Sequence, residues 1–146
     1  MNLYADTSAL IKKYVNKAGT KQVIAYFNEY PLIATTDLTL VEMSSVLSTA
    51  LRLGWVDKLQ VEIARKDFVV HWPAYIRLPV STAVLERAAL LSWGHGLRAY
   101  GSVHLSSALA RKEITGNEVV FACYDKNLMK AAKQERLQVW PDDGEG

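Results

Sequence analysis

The stretch Met1-Asn2-Leu3-Tyr4-Ala5-Asp6-Thr7-Ser8 sets a short apolar run against an aspartate, and Val119-Val120-Phe121-Ala122-Cys123-Tyr124-Asp125 repeats the arrangement near the other end of the chain. Each reads as a buried strand closed by an acid. Downstream of Asp6, residues 8–15 have helical spacing through Ala9, Leu10, Ile11 and Tyr14. A second helix follows Gly19-Thr20, with Val23, Ile24 and Phe27 on one face. Residues 32–36, between Pro31 and Asp37, form the next predicted strand, and Asp37 is placed to cap a long helix ending near Leu53-Gly54.

Asp57 opens a further helix to about His71, and residues 75–80 alternate as a strand. Ser81 starts a helix carrying Ala83, Leu85, Ala88, Ala89 and Leu91, stopped by Gly94 and Gly96. Residues 102–114 are helical and rich in small side chains, which suits close backbone packing. Then come a strand over 118–124, a helix over 126–135 and a last strand over 137–140, closed by Pro141. Strands alternating with helices predict an α/β layer structure with a mainly parallel sheet flanked by helices, because parallel neighbours need a crossover. The helical pair between the second and third strands exceeds a minimal crossover and is read as an outlying arm or clip.

A chain of 146 residues, 50% hydrophobic, has the size and composition of one compact domain. That domain is placed over 1–141, with 142–146 as an acidic tail. The formal charge of +2 does not announce a nucleic-acid partner. Three acids lie in that tail, however, so the remainder carries 17 basic against 12 acidic groups. A surface of that sign suits a polyanion. The single cysteine, Cys123, excludes an internal disulfide, favours a reducing compartment and reads as a small buried hydrophobe. No basic leader precedes a hydrophobic stretch, and no apolar run approaches the roughly 18 residues of a membrane span. A soluble, cytoplasmic protein is expected.

Asp6 and Asp125 each end a strand, and Glu42 interrupts an apolar helix between Leu38 and Val46. Ligands of open α/β sheets bind outside the carboxyl ends of the strands, so these remote acids are placed to converge on one crevice. Three converging carboxylates call for a divalent cation, and Mg²⁺ or Mn²⁺ prefers such oxygens while leaving positions for phosphate and water. Phosphodiester hydrolysis follows from that arrangement. Helix capping is the competing account for Asp6 and Asp125. His71, His95 and His104 lack metal-ligand spacing and read as packed or surface residues. No Gly-x-x-x-x-Gly-Lys or Gly-x-Gly-x-x-Gly phosphate loop occurs.

At these positions the chain resembles the PIN-domain family, specifically the VapC-type toxin ribonucleases of toxin-antitoxin pairs. The resemblance is carried by Tyr4-Ala5-Asp6-Thr7-Ser8-Ala9-Leu10, Leu40-Val41-Glu42, the run from Leu97 through Gly101-Ser102-Val103-His104 to Ala108, and Tyr124-Asp125-Lys126-Asn127-Leu128. It implies a PIN-like three-layer fold and a metal-dependent endoribonuclease acting on RNA such as tRNA, inhibited by a small antitoxin and commonly a homodimer. Asp6, Glu42 and Asp125 match three of the family's four metal-site acids. The remaining position, usually Asp-Ala-x-His-Leu-Ala, reads Gly101-Ser102-Val103-His104-Leu105-Ser106.

A neutral Ser102 does not replace a carboxylate at a hard cation, and Asp37, five residues before Glu42, is reserved for capping. The missing acid leaves three consequences open: lower metal occupancy, loss of one of two metal positions, or a degenerate PIN domain that binds RNA or an antitoxin without cutting. A purely structural module whose acids are all caps is a further alternative. Thr7 and Ser8 are expected to orient Asp6 or a water at the metal, or else to cap the helix. Arg98 and Ser102 are candidate RNA contacts. The amides of Ser102 and Val103 at the start of their helix form a candidate anion site.

Overall fold

The computed structural model describes residues 1–142, so all of the expected acidic tail except Asp142 lies outside the described residues. Short, mostly apolar runs supply two of the strands, β1 (Asn2–Ala5) and β4 (Val119–Ala122), and the others are β2 (Ile33–Thr36), β3 (Ile76–Leu78) and β5 (Gln138–Trp140). All pair in parallel, in the order β3-β2-β1-β4-β5. Between them run α1 (Thr7–Tyr14), α2 (Thr20–Phe27), α3 (Leu38–Arg52), α4 (Lys58–His71), α5 (Thr82–His95), α6 (Ala99–Thr115) and α7 (Lys126–Gln134).

The strict two-residue period of a strand divides the core in two. Leu3, Ala5, Val120 and Ala122 face α1 to α4, packing with Leu10, Phe27, Met43, Leu47 and Phe68. Tyr4, Val119 and Phe121 face the other way, onto Leu91, Leu105, Leu128 and Ala132 of α5, α6 and α7. Coverage on both faces explains why these strands read as unbroken apolar runs, as parallel strands do. The expected α/β three-layer architecture is therefore present, with all five described strands parallel.

The pair α3–α4 does not stand clear of the domain. Met43, Leu47, Val61, Ala64 and Phe68 bury one side of it in the core, while Val41, Leu53, Trp55, Leu59 and Ile63 of the pair and its connection stay exposed. No helix among the described residues is long and apolar enough to cross a membrane.

Local capping chemistry sets most helix starts. The side chains of Asp57 and Ser81 accept the amides of Gln60 and Val84, at 2.9 and 3.2 Å. Three sequence expectations change. Asp37 already has helical angles, φ −53° and ψ −30°, and its side chain makes no cap bond. A capping carboxylate needs an extended backbone to reach the following amides. Second, α5 runs through Gly94 and ends at His95, with left-handed Gly96 as its C-cap. Third, α6 begins at Ala99, not Ser102, so the Ser102 amide is already spent on the Arg98 carbonyl at 3.0 Å. The candidate anion site on that amide does not exist.

On the surface, Arg87 of α5 forks onto both oxygens of Glu113 on α6. Both side chains are well exposed, so Arg87→Ala is expected to cost at most about 1 kcal/mol of stability by urea unfolding, and less in high salt.

Candidate functional site

The strand order reverses direction at β1 and β4. The chain builds outward from β1 through β2 to β3 on one side, and from β4 to β5 on the other. Crevices form at such a switch point, outside the carboxyl ends of the strands. Here those ends carry the two aspartates. Register pairs Ala5 with Ala122, and the Asp6 amide bonds the Ala122 carbonyl at 3.1 Å, so Asp6 and the segment leading to Asp125 leave the sheet side by side. A cleft of about 640 Å³ opens there. It is lined by Asp6, Glu42 and Asp125, the three acids singled out in the sequence, together with Gly101.

Asp6 is 4% exposed. It caps α1 through the Ala9 amide at 3.0 Å, and the Ser8 hydroxyl lies 2.7 and 3.0 Å from its two oxygens. Burial pushes its carboxyl above the usual range, with His104 and the Ser8 hydroxyl acting the other way. It forms no salt bridge to a lysine or arginine among the described residues. Ser8 also accepts the Tyr124 amide at 2.9 Å, tying the end of β1 to the segment before Asp125.

Asp125 caps α7 through the Leu128 amide at 3.1 Å and is exposed at the rim. Cys123 is buried as expected, and burial followed by the charge of Asp6 drives its thiol up, away from reactivity.

Glu42 reaches the cleft from α3, with its side chain 17% exposed. Burial acts to raise its pKa, but bonds and charge from His104 and the Thr7 hydroxyl outweigh burial and hold it below the usual range. Thr7 donates to Glu42 Oε1 at 2.8 Å. Of the two residues expected to orient Asp6 or a water at the metal, or else to cap the helix, Ser8 bonds Asp6 and Thr7 bonds Glu42.

Arg98, the N-cap residue of α6, lines the cleft beside Tyr100 and Asn127. Ser102 is not brought there. It is buried, and its hydroxyl bonds the Arg98 carbonyl at 2.9 Å. Asp37, without a capping bond, does not line the cleft either.

Sequence reasoning missed His104. It is 2% exposed and sits between Tyr4 and Glu42, with Nδ1 2.9 Å from the Tyr4 hydroxyl and Nε2 2.6 Å from Glu42 Oε1. Two signals pointed to it: it lies three residues after Gly101, hence on the same helix face, and Tyr4 in an apolar strand needed a partner for its hydroxyl.

The donor chemistry of the cleft suits a hard divalent cation. Its acids are oxygen donors, and a buried Asp6 without an ion pair gains from added positive charge. The set is incomplete: among the described residues no three His, Cys, Asp or Glu side chains are gathered closely enough to hold a metal as they stand. Gly101 supplies no donor.

A family model described as "PIN domain" matches residues 3–134. Over 139 residues the chain is 26% identical to Ribonuclease VapC45 of Mycobacterium tuberculosis, covering 95% of this chain and 94% of that protein. Among solved structures, FitAcB from Neisseria gonorrhoeae superposes with a TM-score of 0.68 at 14% identity, covering 94% of this chain and 95% of its own. A toxin-antitoxin complex from Klebsiella pneumoniae gives a TM-score of 0.54 at 17% identity, covering 82% and 84%. At such identities the structural likeness speaks to the fold alone.

Proposed function

The chain belongs to the PIN-domain family, and from that premise we propose that it is a VapC-like endoribonuclease toxin that hydrolyses RNA phosphodiester bonds with Mg²⁺ or Mn²⁺. The observation that carries this reading is that Asp6, Glu42 and Asp125, from three distant parts of the chain, line one cleft at the switch point of the sheet. When bound there, a divalent cation would acidify water and offset charge on the phosphoryl oxygens. Asp6 and Glu42 would hold it, with Asp125 at the rim. Ser8 bonds and orients the Asp6 carboxylate, and the Thr7 hydroxyl donates to Glu42.

Arg98 at the mouth supplies positive charge for a backbone phosphate, and exposed Tyr100 beside it offers a face on which a base can stack. Both suit a single-stranded segment of a structured RNA such as tRNA. A small antitoxin is the protein partner we assign, supported by the exposed apolar side chains of α3, α4 and their connection, and by the toxin-antitoxin complex that shares this fold. A homodimer in the cytoplasm completes the reading.

A second reading is favoured by a specific observation. Gly101 lines the same cleft, and the acids present do not close a metal site unaided. On this reading the PIN domain binds RNA or an antitoxin and turns over slowly or not at all. Purified protein incubated with single-stranded RNA tests the first reading: cleavage that requires Mn²⁺ and stops with chelator is expected, whereas cleavage persisting in chelator would refute it.

A further inference from the structure

The capping and metal-binding roles assigned above account for the acids but give no task to His104, the buried imidazole of α6. Its ring stands edge-on to Tyr4, with centroids 5.9 Å apart and planes at 80°, and both nitrogens are engaged. Four elements meet at this point: Tyr4 from β1, Thr7 from α1, Glu42 from α3 and His104 from α6. His104 Nε2 and Thr7 Oγ1 converge on the same oxygen, Glu42 Oε1, and lie 3.4 Å from each other.

An ionised carboxylate only accepts, so Nε2 carries a proton toward Glu42. The Tyr4 hydroxyl, 2.9 Å from Nδ1, anchors the far side of the ring. Two donors on Oε1 fix the plane of a side chain that otherwise has three free torsions, and they leave Oε2 without a hydrogen bond among the described residues.

Resting on the nuclease reading, we propose that His104 is a positioning residue: through a Tyr4–His104–Glu42 chain it locks the Glu42 carboxylate with Oε2 available to a divalent cation. The helix that carries Gly101 in place of an acid thereby still acts on the site, one turn further on and through Glu42. Partners that orient metal-binding side chains in this way are typically worth about 10–100-fold in metal affinity.

The test is Mn²⁺ binding by calorimetry, with thermal unfolding measured beside it, on wild type, Asp6→Asn, His104→Leu and His104→Gln. His104→Leu is expected to bind Mn²⁺ about 10–100-fold more weakly. His104→Gln, whose amide nitrogen reaches the Nε2 position, is expected to recover most of that affinity. If His104→Leu fails to fold, His104→Asn takes its place, because the shorter amide can serve Tyr4 but not Glu42. Mn²⁺ binding that is lost in Asp6→Asn yet equal in wild type and the His104 variants overturns the positioning role alone, whatever the melting temperatures do. Absence of Mn²⁺ binding by wild type overturns the nuclease reading and this inference with it.

Discussion

Asp6→Asn is expected to lower Mn²⁺-dependent RNA cleavage by more than about 100-fold, beyond the range typical of residues that merely orient a ligand. The amide keeps the shape of the side chain and an oxygen for the Ala9 amide, so the cap on α1 survives while the charge is removed. Stability separates loss of chemistry from loss of fold. Burial raises the Asp6 pKa in the folded state, so without metal the ionised carboxylate opposes folding. That cost is absent at low pH, appears as pH rises above the unfolded-state pKa, and is complete above the raised folded-state value. Asp6→Asn is therefore expected to melt at or above the temperature of metal-free wild type at neutral pH.

Added Mn²⁺ should reverse that order. Wild type gains stability with ligand concentration, by about 2.7 kcal/mol at 100 times the dissociation constant, and the variant gains little. Undiminished cleavage by Asp6→Asn would remove this cleft as the site of chemistry.

Gly101→Asp is expected to tighten Mn²⁺ binding by about tenfold or more, equivalent to about 1.4 kcal/mol, and to raise the cleavage rate with it. The backbone permits the change. Gly101 is the third residue of α6, and a Cβ built there meets only Leu128 Cδ2 and Cδ1, at 3.5 and 3.6 Å, which is ordinary contact. Glycine in a helix carries an entropic cost that aspartate reduces, and an acid in the first turn is favoured by the helix dipole. Folding should thus survive, and any gain belongs to the cleft.

The same variant distinguishes the two functional readings. If wild type cuts RNA and Gly101→Asp cuts faster, three acids suffice. If only Gly101→Asp cuts, the natural chain is an attenuated member of its family that keeps the binding surface. If the variant changes neither metal affinity nor cleavage, position 101 stands outside the site even though it lines the cleft.

The alternation of elements and most of the helix caps were legible residue by residue, because both are local. Apolar runs such as 119–123 report burial on two faces wherever the strand comes to lie, and a side chain such as Asp57 or Ser81 finds its amides three residues on. Local signals failed at two helix starts: Asp37 adopts helical geometry and makes no cap bond, and α6 begins three residues early.

The candidate acids could be named from their sequence settings, but their meeting in one cleft depends on β1 pairing with β4 across most of the chain. Likewise, nothing within a few residues of Thr7 or His104 shows that both serve Glu42, 35 and 62 positions away. Periodicity along a chain records which face of an element is apolar. Which elements then share that face, and which polar groups become one another's partners once water is excluded, is settled only when both layers of helices close on the sheet.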